Sequence, residues 1–222
     1  KTSLKNILGQ ILNKTESTYF SPHSYNNKFG VQYSLSNLEP YHRYGVFEIG
    51  MSKKGEINKL SKLAKPHISI ITNISEAHIE NFKNIKGIAK AKSEIIDNTR
   101  ANGVIILNKD DKFFNFLKKK AITKKLKVVS FGLSKKADIF PIKITEKKDF
   151  NIIKLKIFNQ KMEINTKNIN IYNLLCTFAV LKELDINLLD YKDYFLNYAK
   201  TDGRGKNNLV KRFNIKFNLI DD

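Results

Sequence analysis

Several polar residues follow directly on apolar runs, and their types suit phosphate and metal chemistry. Glu48 follows residues 44–47. Thr72, Asn73 and, slightly later, His78 follow residues 68–71. Asn108, Asp110 and Asp111 follow residues 104–107, and Asp221 and Asp222 follow residues 217–220. If the apolar runs are parallel strands, these residues share one carboxyl rim, where open α/β sheets bind ligands. Hard oxygen donors of this kind favour Mg²⁺ and a nucleotide. Lys1-Thr2-Ser3 opens a helix and reads as the tail of a phosphate loop; the glycines of G-x-x-x-x-G-K-[ST] would stand before residue 1. Singly, each has a plainer reading: Glu48 as a solvated strand end, His78 as a satisfied histidine, residues 108–111 as a turn. Their common position is what argues for a site.

The surrounding pattern supplies such a sheet. Leu4, Ile7, Leu8, Ile11 and Leu12 recur at helical spacing, so a helix is expected over residues 1–13. A short strand at 17–20, a polar loop at 21–27 and a helix at 30–38 follow. Strands are then expected at 44–49, 68–71, 104–107 and 127–131, with helices at 56–63, 85–99 and 112–120 between them. Apolar strands alternating with helices argue for an α/β fold of P-loop type. Its sheet would be doubly wound and mostly parallel, with helices on both faces. The texture changes over 137–166, where runs at 137–145, 150–158 and 161–166 joined by polar turns predict a small antiparallel sheet. Helices are expected at 171–184 and 189–198, and a last strand within 210–220. The chain opens on a helix without Met and stops directly after a strand, so a fragment is expected.

With 222 residues, 41% of them hydrophobic and 27% charged, the chain can bury one sizeable core. Cys176 is its one cysteine, which excludes an intramolecular disulfide and a cysteine metal cluster and points to a reducing compartment. No apolar run reaches the roughly 18–20 residues of a membrane span. A cytoplasmic protein with no membrane span is expected. Lys+Arg number 40 against 21 Asp+Glu, a net charge of +19, which invites a nucleic-acid reading. Arg, however, occurs only at Arg43, Arg100, Arg204 and Arg212, and Arg makes most bidentate base and phosphate contacts. The charge is read as a solvated Lys surface, with no nucleic-acid partner.

The motifs also carry a family resemblance, in order along the chain. Lys1-Thr2-Ser3 is similar to the end of a G-K-T-[ST] loop, and Tyr25-Asn26-Asn27-Lys28-Phe29-Gly30 to an N-N-x-I-G segment. Val46-Phe47-Glu48-Ile49-Gly50 with Gly55-Glu56-Ile57 is similar to V-I-E-M-G … G-E-I. Thr72-Asn73-Ile74 with Ala77-His78-Ile79-Glu80 is similar to T-N-I-x-x-A-H-L-E, and residues 87–95 to a lysine helix. Asn170 and Asn173 are similar to an H-N-x-x-N helix, and Gly203-Arg204 and Leu219-Ile220-Asp221-Asp222 to G-R and L-I-D-D elements. Over almost its whole length the chain resembles the central ATP-binding domain of the Mur ligases. Within them it leans to the branch that joins D-alanyl-D-alanine to UDP-N-acetylmuramoyl-tripeptide. It departs from the pattern at Lys167 and Ile169, where the family usually has Gly and His, and at Ser24, where this branch often has Asn.

The resemblance implies an ATP-dependent amide ligase of peptidoglycan precursor synthesis, using ATP and Mg²⁺, acting as a monomer through an acyl phosphate. Residues 1–222 would be one central domain, with the UDP-substrate domain and the closing domain outside it, and this piece alone would be inactive. In that reading Lys1 pairs with the β/γ-phosphates, Thr2 and Ser3 belong to the phosphate loop, and Thr2 ligates Mg²⁺. Glu48 and His78 ligate a magnesium ion near the γ-phosphate. Lys92 is the lysine that the family carbamylates, and as a carbamate it joins the metal site; Lys1, His78 and Lys92 form the catalytic set. Lys90, two residues away, lies on a different helix face. Asn170 and Asn173 contact adenine, Arg204 meets phosphate, Asp222 holds the ribose, and Asn26 and Asn27 lie near the phosphates or the acceptor. The competing readings are a diaminopimelate- or lysine-adding Mur ligase, a folylpolyglutamate synthase-like enzyme and, outside enzymes, a Lys-rich nucleic-acid-binding P-loop domain and a degenerate, non-catalytic homologue, the last opposed by Glu48, His78 and Lys92.

Overall fold

In the computed structural model, residues 1–76, 79–196 and 198 are described, with the backbone of two further strands at 206–212 and 215–221. His78, Arg204 and Asp222 lie outside the described residues. The apolar stripe of the first helix, α1 (Thr2–Leu12), is buried as its spacing requires. It shares a core with α7 (Ile171–Glu183) and one face of the central sheet, through Ile106, Val129 and Phe131. The strands β1 (Thr18–Phe20) and β2 (Tyr44–Val46) pair in parallel, joined through α2 (Lys28–Ser36).

After α3 (Glu56–Ala64) come β3 (Ile68–Ile71), β4 (Val104–Asn108) and β5 (Lys127–Phe131), paired in parallel. Their crossovers carry α4 (Ile85–Lys92), α5 (Glu94–Asn98) and α6 (Phe114–Thr123). Ile105 and Leu107 face Ile88, Ile96 and Leu117 on that side, while Ile106 between them faces α1 and α7. This two-residue alternation of faces, each covered by helices, is the mixed α/β architecture that the sequence pattern implies.

The segments β6 (Ile139–Glu146), β7 (Asn151–Ile157) and β8 (Gln160–Thr166) are antiparallel, as expected, but they do not form a separate sheet. One parallel pair, Phe131 with Ile139, joins them to β5, so the order runs β3-β4-β5-β6-β7-β8. The single strand expected within 210–220 is instead an antiparallel pair, β9 (Lys206–Arg212) and β10 (Ile215–Asp221). In place of a helix at 189–198 there are two short 3₁₀ turns, Leu188–Tyr191 and Tyr194–Leu196. No helix among the described residues is long and apolar enough to cross a membrane.

Candidate active site

Beyond β1 and β2 the two segments are tied by isolated bonds, to backbone and to side chain, and not by a longer ladder. The Glu48 amide donates to Ser21 Oγ at 3.2 Å, and the Gly50 amide donates to the Asn26 carbonyl at 2.7 Å. The strand expected to reach residue 49 therefore ends at Val46. A Cβ on Gly50 would stand 2.8 Å from Asn26 Oδ1, so only glycine lets Asn26 lie this close. Asn26 Nδ2 in turn donates to Glu48 Oε1 at 2.7 Å. Glu48 is only 5% exposed, and among the described residues its second oxygen, Oε2, is buried with no hydrogen-bond partner. A bare buried carboxylate oxygen costs stability, so its presence calls for an explanation. Lys1 Nζ stands 3.9 Å from Glu48 Oε1, and the Thr2 and Ser24 hydroxyls are 3.0 Å apart. The start of α1, with Ser3 half-buried in its first turn, thus meets the 21–27 loop and the Glu48 carboxylate at one edge.

Lys5 belongs to the same cluster and escaped the sequence reading. It is 4% exposed, and its ammonium donates to the carbonyls of Ser21 and, at 2.7 Å, His23. Burial pushes its pKa below the usual lysine range, against the pull of nearby Glu48. One signal was available: Lys5 shares its helical face with Leu8 and Leu12, an apolar stripe on which a lysine needs partners.

Next to Lys1 a cleft of about 300 Å³ is lined by Met51, Ile57, Thr72, Asn73, Lys92 and Ile95, among others. Lys92 Nζ donates to the Asn73 carbonyl at 2.8 Å. Burial, then the charge of Lys1, hold its pKa below the usual lysine value, with Asp111 opposing. Lys90, on the same helix, is exposed. The single helix expected over 85–99 breaks at Ser93, whose carbonyl accepts from Lys120 Nζ at 2.9 Å. Directly after the break, Glu94 reaches the start of α3 and accepts from the amides of Gly55 at 2.9 Å and Asn58 at 3.0 Å. Gly55, at φ +86°, has no side chain with which to cap that helix, and Glu94 does so from α5.

Glu56 accepts from the amides of Ser52 at 2.6 Å and Lys53 at 3.0 Å, which holds its carboxyl below the usual range. Because the folded pKa is depressed, this stabilisation is complete above the ordinary glutamate pKa and is lost as pH falls through the folded one. Urea midpoints of wild type and Glu56→Gln should therefore differ at neutral pH and converge in acid; a constant gap would contradict the assignment.

Asp110 and Asp111 fit the plainer reading of their segment. Asp111 accepts from the amides of Ile74 at 2.5 Å and Phe113 at 2.8 Å, fixing the loop after β3 to the start of α6. Asp110 accepts from the amides of Leu133 at 2.6 Å and Ser134 at 3.1 Å and from the Tyr172 hydroxyl at 3.2 Å. These carboxylates shape the rim, and no set of three or more His, Cys, Asp or Glu side chains placed to hold a metal occurs among the described residues. Asn27 caps α2 through the Gly30 amide at 2.9 Å. Asn170 caps α7, accepting from the amides of Tyr172 at 3.0 Å and Asn173 at 3.2 Å. The Tyr172–Asp110 bond brings Asn170 and Asn173 to the edge where β4 and β5 end. Replacing Asn170 by Ala should cost about 1 kcal/mol of stability in urea unfolding; no change would mean that the cap contributes nothing.

Residues 1–181 match the family model described as the Mur ligase middle domain. The chain belongs to this family. A curated relative, the UDP-N-acetylmuramoyl-tripeptide–D-alanyl-D-alanine ligase of Rickettsia prowazekii (strain Madrid E), is 32% identical over 217 residues, covering 93% of this chain and 47% of the relative. The enzyme of that name from Buchnera aphidicola subsp. Baizongia pistaciae (strain Bp) is 32% identical over 174 residues, 78% of this chain and 37% of the relative. A crystal structure of MurF from Acinetobacter baumannii superposes with a TM-score of 0.87 at 28% identity, over 100% of this chain and 48% of that one. The chain spans less than half the length of these relatives. The resemblance carried by the motifs and the mixed α/β fold both hold for this Mur ligase middle domain.

Proposed function

We propose that this Mur ligase middle domain is the ATP-binding part of a cytoplasmic, monomeric ligase of peptidoglycan precursor synthesis, which adds D-alanyl-D-alanine to UDP-N-acetylmuramoyl-tripeptide. The names of the relatives supply the substrates. The observation that carries the chemistry is Glu48: a buried carboxylate with one bare oxygen, beside Lys1 at the start of α1. That oxygen fits Mg²⁺, a hard cation that prefers carboxylate and hydroxyl donors. Glu48 would hold the ion with Thr2 and with His78. When bound, Mg²⁺ supplies Lewis-acid neutralisation of phosphate charge.

In the reaction an oxygen of the tripeptide carboxylate attacks the γ-phosphorus and ADP leaves, giving an acyl phosphate. The dipeptide amine attacks the acyl carbon, a tetrahedral intermediate forms, the C–O bond breaks, and phosphate and a proton depart. The difficulty is bringing one anion to another. Lys1 and the amides of the first turn of α1 hold the phosphates with positive charge that is already oriented. Asn26 fixes one oxygen of Glu48 and leaves the other without a partner among the described residues, the oxygen that would take the ion. Lys92 lines the cleft next to Lys1, where the acyl group would lie; as a carbamate, formed when its neutral amine bonds CO₂ and loses a proton, it would add an anion to that cleft. Asn170 and Asn173 receive adenine, Arg204 phosphate and Asp222 the ribose.

Phosphate release from ATP by the intact protein tests this reading. Release that requires both the tripeptide and the dipeptide supports it; release indifferent to both removes it.

A further inference from the structure

We propose that Lys5 is a positioning residue, whose buried ammonium latches the 21–26 loop onto α1 and so presents Asn26 to Glu48 and Ser24 to Thr2. This rests on the functional reading above, since the site it serves is the one built on Glu48. Among the described residues the two acceptors of the Lys5 ammonium, the carbonyls of Ser21 and His23, lie in that loop. Ser21 is fully buried, and its hydroxyl accepts from the Glu48 amide and donates to the Val46 carbonyl at 3.3 Å. His23 has φ +44°, a left-handed conformation that non-glycine residues hold only when neighbours impose it. One residue on, Ser24 meets Thr2, and Asn26 follows with its bond to Glu48. The latch is seated firmly. A Cβ on Gly9 would fall 2.2 Å from the Phe20 ring, so β1 presses directly on α1, and the Lys5 ammonium lies 5.9 Å from the centre of that ring.

An apolar side chain in place of Lys5 would leave two loop carbonyls without their donor and remove what holds the turn at His23. The loop would then present Asn26 in many positions, and Glu48 would lose its fixed orientation. Outer partners that orient a metal-binding carboxylate act in this way on affinity.

The test uses the intact protein and the resonance signal of free Mn²⁺ as a binding readout, in the presence of a non-hydrolysable ATP analogue. Lys5→Met and Asn26→Ala should each weaken Mn²⁺ binding roughly 10–100-fold, and the double variant no more than the worse single one, since both act through one loop. Leu12→Ala, destabilised on the same helix, should bind as wild type does. If Lys5→Met does not fold, Lys5→Gln, which keeps a donor, takes its place with a smaller loss. Unchanged affinity at Lys5, or losses that add fully in the double variant, would overturn the proposal. Absence of nucleotide-dependent Mn²⁺ binding in the wild type would overturn the functional reading, and this inference with it.

Discussion

Glu48→Gln should cut ATP turnover by at least roughly 100-fold while changing stability by no more than about 1 kcal/mol in either direction. Glutamine keeps the shape of the side chain and can still accept from Asn26 Nδ2, so the 2.7 Å contact survives. What disappears is the charge. Two consequences for the fold then oppose each other. The bare, buried Oε2 no longer has to be held as part of an anion, which is stabilising. Lys5 loses a nearby negative charge, which is destabilising, but its two carbonyl acceptors remain. The contact with Lys1 weighs little, because Lys1 is exposed and 3.9 Å away. For turnover no such cancellation exists, since an amide cannot supply the charge that a phosphate-bound cation needs. Steady-state phosphate release and urea unfolding on the same preparation check both halves. A variant that unfolds readily, or one that retains near wild-type turnover, would contradict this account of Glu48.

The second large effect is expected at Lys92. Lys92→Arg keeps a positive charge in the cleft but cannot offer a neutral amine to CO₂, because a guanidinium stays protonated. Turnover should fall roughly 100-fold, a loss of the size seen when one precisely placed electrostatic group is removed. Wild-type turnover should rise with added bicarbonate after CO₂ has been stripped, and the variant should not respond. Lys90→Arg is the matched control: it sits two residues away on the same helix, exposed, and should behave as wild type. Full activity in Lys92→Arg would make Lys92 an ordinary lysine whose ammonium does no more than hold the Asn73 carbonyl.

Much of the frame was legible because it depends on local pattern. The limits of β3 and β5 fall where their apolar runs begin and end, and the α1 stripe is buried at its expected positions. Glu48 was legible only together with the other residues that follow apolar runs and with the motif around it, because alone a carboxylate at that place reads as a solvated strand end. Features set by distant partners were not legible. The helix break falls at Ser93, where its hydroxyl donates back to the Lys90 carbonyl at 2.7 Å and its own carbonyl accepts from Lys120, on a helix beyond the next strand; the lysine contact could not be read from residues 85–99. The 137–166 segment has the alternation of an antiparallel sheet, but a two-residue period does not say which edge the sheet joins. Asp110 and Asp111 resembled ligands because sequence does not reveal whether a carboxylate is already accepting from backbone amides. Lys5 was hidden for the opposite reason: a lone helical lysine is usually solvated, and only the loop folding over it makes it a buried donor.

The measurement that tests the central claim most directly is the fate of oxygen in one turnover. UDP-N-acetylmuramoyl-tripeptide carrying heavy oxygen in its terminal carboxylate is supplied with ATP and D-alanyl-D-alanine to the intact protein, and the released phosphate is examined by mass spectrometry. An acyl phosphate formed at the Glu48 rim must leave one carboxylate oxygen on the phosphate, so labelled phosphate is the predicted result. Unlabelled phosphate, with its new oxygen drawn from water, would mean that ATP is merely hydrolysed and that the ligase account is wrong.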